Sequence, residues 1–429
     1  MIIDSYRPDP DGPDHLYLRW RDEEGHLIEK TVSDFRPYFW ISANTSRNYV
    51  DRMLEGFYGA EVDWNDTAVG LRDEEPLVKV YAYRQNQIRE MAKRFKRTWE
   101  ADLSLSDRYL IDNVSEMPRW TPRVWHFDLE WDPKTNQTTV MAVIDSYTNR
   151  RVAFCWKKND STSDREDRVT EYEYKNEQVE LTYERHLFGS EHEMHSAFLD
   201  YLDECNPDVL VAHWISGADL PHLVDRLKEF RRLSPLGRVL RPHKGMYDYV
   251  DQPILGRLCF DTASPSRTGS GFERVWRDSG KPQLKNLKLD TIARMCGYGG
   301  KLDMDVHTGW TERFDEYVDY CMVDTLLLKQ IDEENHVVNF FLSLQTVCGV
   351  SFRSCHNVTR FARGLIQRRT HWKAPTKSLQ EKEEYEGAFI PPPKPGRYEG
   401  VACVDYKGLY PSLILSHNLS WETQVRGDY

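Results

Sequence analysis

The first 120 residues alternate hydrophobic and polar positions over several short stretches, which is typical of β-strands. Residues 15–21 and 26–32 flank a turn that ends in glycine, and this pattern predicts a β-hairpin. A further strand is predicted over residues 35–41, and helical spacing favours a helix over 85–99. Two prolines in 115–122 then mark a boundary.

Strand and helix patterns alternate from about 124 to 333, which predicts a mixed α/β (α+β) domain. Ser190 and Glu193 form a Ser-x-x-Glu capping box that opens a helix. The charged stretch 157–185 is predicted to be a hairpin or loop. Residues 339–370 are predicted to be helical, and the chain then returns to extended structure.

Composition limits the class of protein. A chain of 429 residues with 40% hydrophobic and 12% aromatic residues is expected to hold two or three globular domains. No apolar run reaches membrane-spanning length and residues 1–7 lack a signal-peptide layout, so an intracellular, cytoplasmic protein is expected. Eight cysteines without a Cys-x-x-Cys pair favour buried free thiols over zinc or disulfides. The net charge of −12 does not favour nucleic-acid binding, although a local basic surface would suffice for it.

A pair of acids stands on a predicted strand. Alternation along residues 124–131 puts Asp128 and Glu130 on one face, and Phe127 and Leu129 on the other. Two such carboxylates can hold a divalent metal, but exposed acids on an edge strand would show the same pattern.

Further acids follow. Asp219 stands where a buried strand gives way to a loop or helix start, so it is either a metal ligand or a helix N-cap. Tyr320 and Asp324 are four residues apart on one predicted helix face. Taken alone, that pair also fits an ordinary amphipathic helix.

In this order the three elements resemble the Exo I, Exo II and Exo III motifs of proofreading exonucleases, which have a ribonuclease-H-like fold. The resemblance implies that Asp128, Glu130 and Asp324 ligate the catalytic metal and that Asp219 and Asp128 place a second. It also implies that Tyr320 orients the attacking water. Oxygen ligands favour two Mg²⁺ or Mn²⁺ ions.

The second motif departs from the family pattern at two positions. The family usually has Asn five residues before the Asp and an aromatic residue just before it. This chain has Trp214 and Ala218 in those places. The departure leaves the acids in place but implies altered contacts to the terminal nucleotide.

Residues 401–405 are predicted to form a strand with Asp405 at its end. Residues 405–414 resemble motif A of family B DNA polymerases. The resemblance implies that Asp405 ligates the polymerase metals and that Leu409 and Tyr410 bind the nucleotide. Tyr385 and Gly387 resemble the Tyr-x-Gly-Gly/Ala motif, which implies contact with DNA.

The resemblance implies an N-terminal β-rich domain over 1–120 completed by about 335–370, an exonuclease domain over 121–334, and the start of a polymerase palm over 371–429. The first hypothesis is therefore the N-terminal part of a family B polymerase in DNA replication, acting on primer–template DNA. The fingers motif and the second palm carboxylate have no match here. Deoxynucleoside triphosphates would consequently be used only with a second polypeptide that supplies the rest of the palm, the fingers and the thumb.

Two alternatives stay open: a self-standing exonuclease with a vestigial palm, and a non-catalytic DNA-binding subunit of a split polymerase. The intact acids argue against the non-catalytic subunit, and the intact Asp405 and Tyr410 argue against the vestigial palm. An origin in a cell or in a virus fits the sequence equally.

Overall fold

The structure is a computed structural model. It describes residues 1–71, 74–240, 253–263, 271–355, 358–370, 372–376, 389, 391–402, 404–406, 408–420 and 423. Two compact units divide the chain. The first comprises Met1–Pro37, Tyr83–Gln85 and Leu103–Thr370, and the second comprises Tyr38–Ala82, Asn86–Asp102 and His371–Tyr429. The three-domain scheme with bounds 1–120, 121–334 and 371–429 stays a prediction.

The strands, in chain order, are β1 (Ile2–Tyr6), β2 (His15–Arg21), β3 (Leu27–Val32), β4 (Tyr38–Ser42), β5 (Glu61–Gly70), β6 (Pro76–Tyr81), β7 (Val124–Trp131), β8 (Thr138–Asp145), β9 (Arg151–Trp156), β10 (Asp164–Tyr174), β11 (Glu177–Phe188), β12 (Val209–Ala212), β13 (Leu258–Asp261) and β14 (Trp372–Lys373). The α-helices are α1 (Arg47–Leu54), α2 (Gln85–Lys93), α3 (Leu105–Asn113), α4 (Glu191–Cys205), α5 (Asp219–Arg226), α6 (Gly271–Asp278), α7 (Leu289–Met295), α8 (Gly309–Glu312), α9 (Phe314–Asn335), α10 (Val337–Cys348), α11 (Val358–Gln367) and α12 (Leu409–Ser416). Short 3₁₀ turns occupy Phe230–Leu233 and Phe352–Ser354. Among the described residues, none of these helices is both long enough and apolar enough to cross a membrane.

A seven-stranded mixed sheet forms the centre of the first unit, in the order β10-β11-β9-β8-β7-β12-β13. Strands β7, β8 and β9 form an antiparallel meander, whereas β12 and β13 run parallel to β7. Every residue of β8 is buried, because α9 packs across β7 and β8. The mixed α/β fold class predicted from the sequence is confirmed, and the sheet has the ribonuclease-H-like arrangement.

Helix α4 begins at the predicted capping box. The Ser190 hydroxyl accepts a hydrogen bond from the backbone N–H of Glu193, and the Glu193 carboxylate accepts one from the N–H of Gly189. The helix ends at Asn206 in the left-handed conformation, with φ of 45°. Both ends are thus fixed by the capping preferences of local residues.

A small antiparallel sheet, β1-β2-β3, belongs to the same unit, and it contains the predicted hairpin with Gly25 at φ +86°. Buried ion pairs tie β2 to the start of β12. Arg19 Nε and Arg21 Nε lie 2.9 and 2.5 Å from the two carboxylate oxygens of Asp208. These pairs fix the strand that leads into the predicted second motif.

The second unit contains a four-stranded sheet in the order β14-β5-β6-β4. One face packs on α1 and α2 through a core that includes Phe39, Val80 and Met91. The helix predicted over 85–99 ends early, at Lys93. Trp99 is instead fully buried and pairs its backbone with Trp40, so tertiary pairing ends the helix that local spacing favoured.

Candidate exonuclease and palm sites

Strand β7 carries the first two acids as the alternation predicts. Phe127 and Leu129 are buried in the core, while Asp128 and Glu130 are only partly buried. The strand is internal, between β8 and β12, so the interpretation of the two acids as edge-strand residues is wrong. An internal strand holds both carboxylates rigidly on one face of the sheet.

One face of helix α9 lies against these acids. Tyr317, Tyr320 and Asp324 recur at helical spacing, and Asp324 is only 1% exposed. Carboxylate oxygens of Asp128, Glu130 and Asp324 all lie within 4.8 Å of one another. Two motifs almost two hundred residues apart therefore meet at one point.

Asp219 comes from the segment that follows β12, the strand that neighbours β7 on the side away from β8. It is the first residue of α5, and Ala218, not Asp219, occupies the N-cap position. The N-cap interpretation is therefore wrong. Asp219 is 3% exposed, and the charge of Asp128 is close enough to help raise its pKa. It nevertheless lies outside the set of three acids within 4.8 Å.

Burial raises the pKa values of these four carboxyl groups, and repulsion between the acids adds to the shift for Glu130, Asp219 and Asp324. Burial raises the pKa of Asp128 to about 6 and that of Asp324 to about 7, although Lys301 opposes both shifts. Burial, followed by repulsion from neighbouring acids, raises the pKa of Glu130 and of Asp219 well above the usual range. Placing like charges together away from water is costly unless a cation offsets them.

Lys301 supplies such a cation. Its Nζ lies 2.5 Å from Asp324 Oδ2 and 4.7 Å from the centre of the Tyr320 ring. Burial lowers the pKa of Lys301, but attraction to Asp324 and Asp128 outweighs burial, so the pKa is raised overall. Lys301 is therefore charged and neutralises part of the acid cluster.

The donor atoms fit a hard divalent cation. Oδ1 of Asp324 and Oδ2 of Asp219 are buried and have no hydrogen-bond partner among the described residues. Carboxylate oxygens are the preferred ligands of Mg²⁺ and Mn²⁺. A softer group, the Sγ of Cys321, lies 3.9 Å from Asp128 Oδ2. The arrangement is a possible acidic metal site.

The hairpin formed by β10 and β11 supports this site from outside. Asp319, next to Tyr320 on α9, accepts hydrogen bonds from Arg168 Nη2 at 3.0 Å and from the Tyr183 hydroxyl at 2.6 Å. The loop before Lys301 is held at Gly299, whose N–H donates to the Glu173 carbonyl at 3.0 Å. The charged stretch predicted as a hairpin or loop is thus a hairpin packed against the helix of the third motif.

The palm segment lies in the second unit. Asp405 is exposed, as are Leu409 (43%) and Tyr410 (73%) at the start of α12. Asp405 joins no group of three or more potential metal ligands within the described part of the chain. Tyr385 and Gly387 lie outside the described residues.

A strand was expected over 401–405, but the described residues of this stretch have no regular structure. Val401 and Val404 are 76% and 84% exposed. A strand needs a neighbour to receive its backbone hydrogen bonds, and no described strand pairs with this stretch.

Comparison with protein-family models accounts for this combination of features. The model of the DNA polymerase family B exonuclease domain matches residues 77–256, and the model of DNA polymerase family B matches residues 316–428. Together the two matches take in more than half of the chain and all of the acids described above. The chain belongs to DNA polymerase family B.

Family B relatives come from archaea and viruses. The DNA polymerase of Pyrococcus glycovorans is 27% identical over 268 residues, which are 58% of this chain and 32% of that protein. The DNA polymerase catalytic subunit of Saimiriine herpesvirus 2 is 24% identical over 273 residues, which are 56% of this chain and 25% of that protein. The chain thus spans about a third or less of the length of these relatives.

A family B DNA polymerase structure from Pyrobaculum calidifontis shows the same fold. It superposes with a TM-score of 0.65 at 20% identity, and the match covers 98% of this chain and 57% of that chain. At this identity the likeness establishes the fold alone.

Sequence reasoning missed Lys301, Tyr317 and Asp261. Tyr317 precedes Tyr320 by one helical turn, and its hydroxyl lies 3.4 Å from Glu130 Oε2, so helical spacing could have found it. Asp261 accepts backbone hydrogen bonds from the loop of the second motif. Lys301 and Asp261 have no local pattern that could have pointed to them, because only the fold brings them to the acids.

Proposed function

We propose that this chain carries the metal-dependent 3′→5′ exonuclease of a family B DNA polymerase and removes nucleotides from DNA primer ends during replication. The observation that carries the proposal is the convergence of Asp128, Glu130 and Asp324 within 4.8 Å, with Asp219 beside them and buried oxygens left without partners. We assign this activity to residues 121–334. Residues 1–120 with about 335–370 form the proposed N-terminal domain, and 371–429 the start of the palm.

The proposed ions are Mg²⁺ or Mn²⁺, two per site, held by Asp128, Glu130, Asp219 and Asp324. Such ions lower the pKa of a bound water and offset charge on the reacting phosphate. The four acids fix where the phosphate of the terminal nucleotide lies. Lys301 adds a positive charge next to Asp324, and that charge is available to a phosphate oxygen or to a carboxylate.

Tyr320 is proposed to orient the attacking water. Burial, followed by the charge of Asp324, raises its pKa, so the phenol keeps its proton at neutral pH. A protonated hydroxyl can donate to one oxygen while accepting from another, which suits a group that positions water.

The test is digestion of a 5′-labelled single strand and of a mismatched primer–template by the purified chain. We expect stepwise shortening with Mg²⁺ or Mn²⁺, loss of shortening with chelator, and loss of at least about a hundredfold in rate for Asp128→Ala. Asp225→Ala is the matched control, because Asp225 is an exposed acid on α5 and is not one of the converging acids. Equal digestion by wild type and Asp128→Ala would contradict the proposal.

A second proposal concerns the palm segment: Asp405, Leu409 and Tyr410 bind metal and a deoxynucleoside triphosphate once further polypeptide covers this region. The exposure of Leu413, Ile414 and other apolar residues of α12 supports it, because such a surface is normally covered in a folded protein. Tyr385 and Gly387 are proposed to contact DNA.

Primer extension tests this second proposal. With Mg²⁺ and all four triphosphates, the 429-residue chain by itself is expected to give no extension, because Asp405 has no partner acids in a described metal site. Template-directed extension by the pure chain would refute the need for further polypeptide. It would leave the exonuclease proposal untouched, since the two activities are assayed with different substrates.

A further inference from the structure

Trp214 has an unusual backbone. Its φ is 71°, in the left-handed region that residues other than glycine rarely adopt. The position follows β12 directly and precedes Asp219 by five residues. An outlier of this kind persists only where the surrounding structure fixes it, and such outliers cluster at functional sites.

The surrounding contacts fix this backbone. The N–H of Trp214 donates to Asp261 Oδ1 at 3.0 Å, and its carbonyl accepts from the N–H of Ala218 at 2.8 Å. The preceding residue, His213, is held through both nitrogens of its ring. Nδ1 lies 3.0 Å from Thr262 Oγ1, and Nε2 lies 2.7 Å from the Leu287 carbonyl oxygen. The loop is therefore pre-formed before any substrate binds.

The indole is nevertheless left in contact with solvent. Trp214 is 37% exposed, whereas its neighbour Ile215 is fully buried. No ring or cation contact to the indole is found among the described residues. A large aromatic side chain held by a strained backbone but left uncovered is suited to contact a ligand.

The loop leaves the sheet at the carboxyl end of β12, next to the internal strand β7 that carries Asp128 and Glu130. Strand β12 is parallel to β7, with Val211 opposite His126, so His213 comes level with Asp128 two residues later. Trp214 follows immediately. The backbone register thus puts the start of this loop beside the strand position of Asp128, where the phosphate of a DNA end is proposed to bind.

We propose that the indole of Trp214 stacks on the base of the 3′-terminal nucleotide and so determines how tightly a single-stranded end is held in the exonuclease site. This inference rests on the proposed exonuclease function. Stacking on an aromatic ring tolerates all four bases, as an enzyme that removes any nucleotide requires. The left-handed backbone turns the side chain out of the core, and the hydrogen bonds to Asp261 hold it there.

The test compares Trp214→Gly with Trp214→Phe. Glycine accepts a positive φ, so the first variant removes the ring without adding strain, while the second keeps an aromatic face. Trp372→Ala is the matched control, because Trp372 is 36% exposed but lies in the four-stranded sheet of the other unit. Circular dichroism and melting temperature establish that each variant is folded.

Two substrates are used, one ending in a normal nucleotide and one ending in an abasic tetrahydrofuran residue. For Trp214→Gly we expect KM for the normal end to rise about 5- to 150-fold, the range that stacking of about 1–3 kcal/mol gives at 1.4 kcal/mol per factor of ten. We expect little change in kcat for Trp214→Gly, and no change in its KM on the abasic end. Trp214→Phe and Trp372→Ala are expected to keep a near-normal KM on the normal end. Unchanged KM for Trp214→Gly, or an equal rise on both substrates, would overturn the proposal.

A binding measurement separates this inference from the proposed activity. A strand with 2-aminopurine at its 3′ end is titrated with the Asp128→Ala protein, with and without Trp214→Gly. Stacking predicts quenching of the 2-aminopurine fluorescence that the second substitution removes. Digestion without Trp214-dependent quenching would refute the stacking alone, whereas quenching without digestion by the wild type would refute the exonuclease function alone.

Discussion

Lys301 provides the sharpest test of how the acid cluster is stabilised. Lys301→Met keeps the length of the side chain and removes the charge that lies 2.5 Å from Asp324 Oδ2. Asp324 is 1% exposed, so the variant leaves a buried carboxyl group without its cation. The protein is then expected to be less stable wherever that carboxyl group must ionise.

The magnitude follows from burial. Removing one partner of a fully buried pair costs about 3–5 kcal/mol. The Lys301 side chain is 31% exposed, so we take about 2–4 kcal/mol as the largest possible loss. With Lys301 in place the pKa of Asp324 is about 7, and without Lys301 the buried carboxyl group keeps its proton to a higher pH. The loss should therefore grow by about 1.4 kcal/mol for each pH unit above about 7, which gives about 1.4 kcal/mol at about pH 8. The loss of stability is therefore present above about pH 7 and shrinks as the pH falls through that value.

The assay is the free energy of unfolding, from urea denaturation without divalent metal, at about pH 8 and about pH 5.5. Lys329→Met is the matched control. Lys329 lies on α9 and pairs with Glu333, but Glu333 is half-exposed, so this contact is worth less than about 1 kcal/mol. Saturating Mg²⁺ should restore more stability to Lys301→Met than to wild type, since it replaces the missing charge. Equal losses in the two lysine variants, or a loss that does not depend on pH, would refute this account.

Three further predictions follow from the same geometry. Asp219→Asn should unfold at higher temperature than wild type without metal at about pH 8, because burial raises the pKa of Asp219 and its ionised form is costly. Each unit by which the pKa is raised is worth about 1.4 kcal/mol, so the gain in stability should shrink as the pH falls towards about 4. A lower melting temperature for the variant would contradict the expectation. Mg²⁺ affinity, measured by calorimetry, should fall as the pH drops from about 8 to about 5.5, because Asp128 and Asp324, with pKa values of about 6 and 7, must release protons to bind; constant affinity would oppose these two acids as ligands. Gly299→Ala should destabilise the protein by about 1–3 kcal/mol and slow digestion, because its Cβ would lie 2.2 Å from Glu173 Cβ, whereas Gly396→Ala, with a nearest contact of 3.3 Å to an exposed ring, should be neutral in the same denaturation and digestion assays.

The amino-acid sequence by itself determined which residues carry the candidate chemistry. Period-two alternation placed Asp128 and Glu130 on one face of β7, and period-four spacing placed Tyr320 and Asp324 on one face of α9. The capping box at Ser190 predicted where α4 begins. Local backbone geometry fixes these relationships, and they therefore survive without knowledge of the fold.

Local pattern was misleading where distant segments compete with it. The helix favoured through residue 99 stops at Lys93, because Trp99 pairs with Trp40 across the small sheet. The strand expected over 401–405 is absent among the described residues, because a strand's hydrogen bonds depend on a neighbour and not on its own sequence.

The tertiary structure alone decided how the site is completed. Lys301 reaches Asp324 from a loop that no spacing rule connects to it, and Asp261 fixes the backbone of Trp214 across neighbouring strands. The hairpin of β10 and β11 braces α9 through Asp319. These contacts depend on the packing of segments far apart in the chain. The charge balance of this buried site therefore depends on residues that only the fold brings together, whereas the faces of single strands and helices follow from the order of residues along the chain.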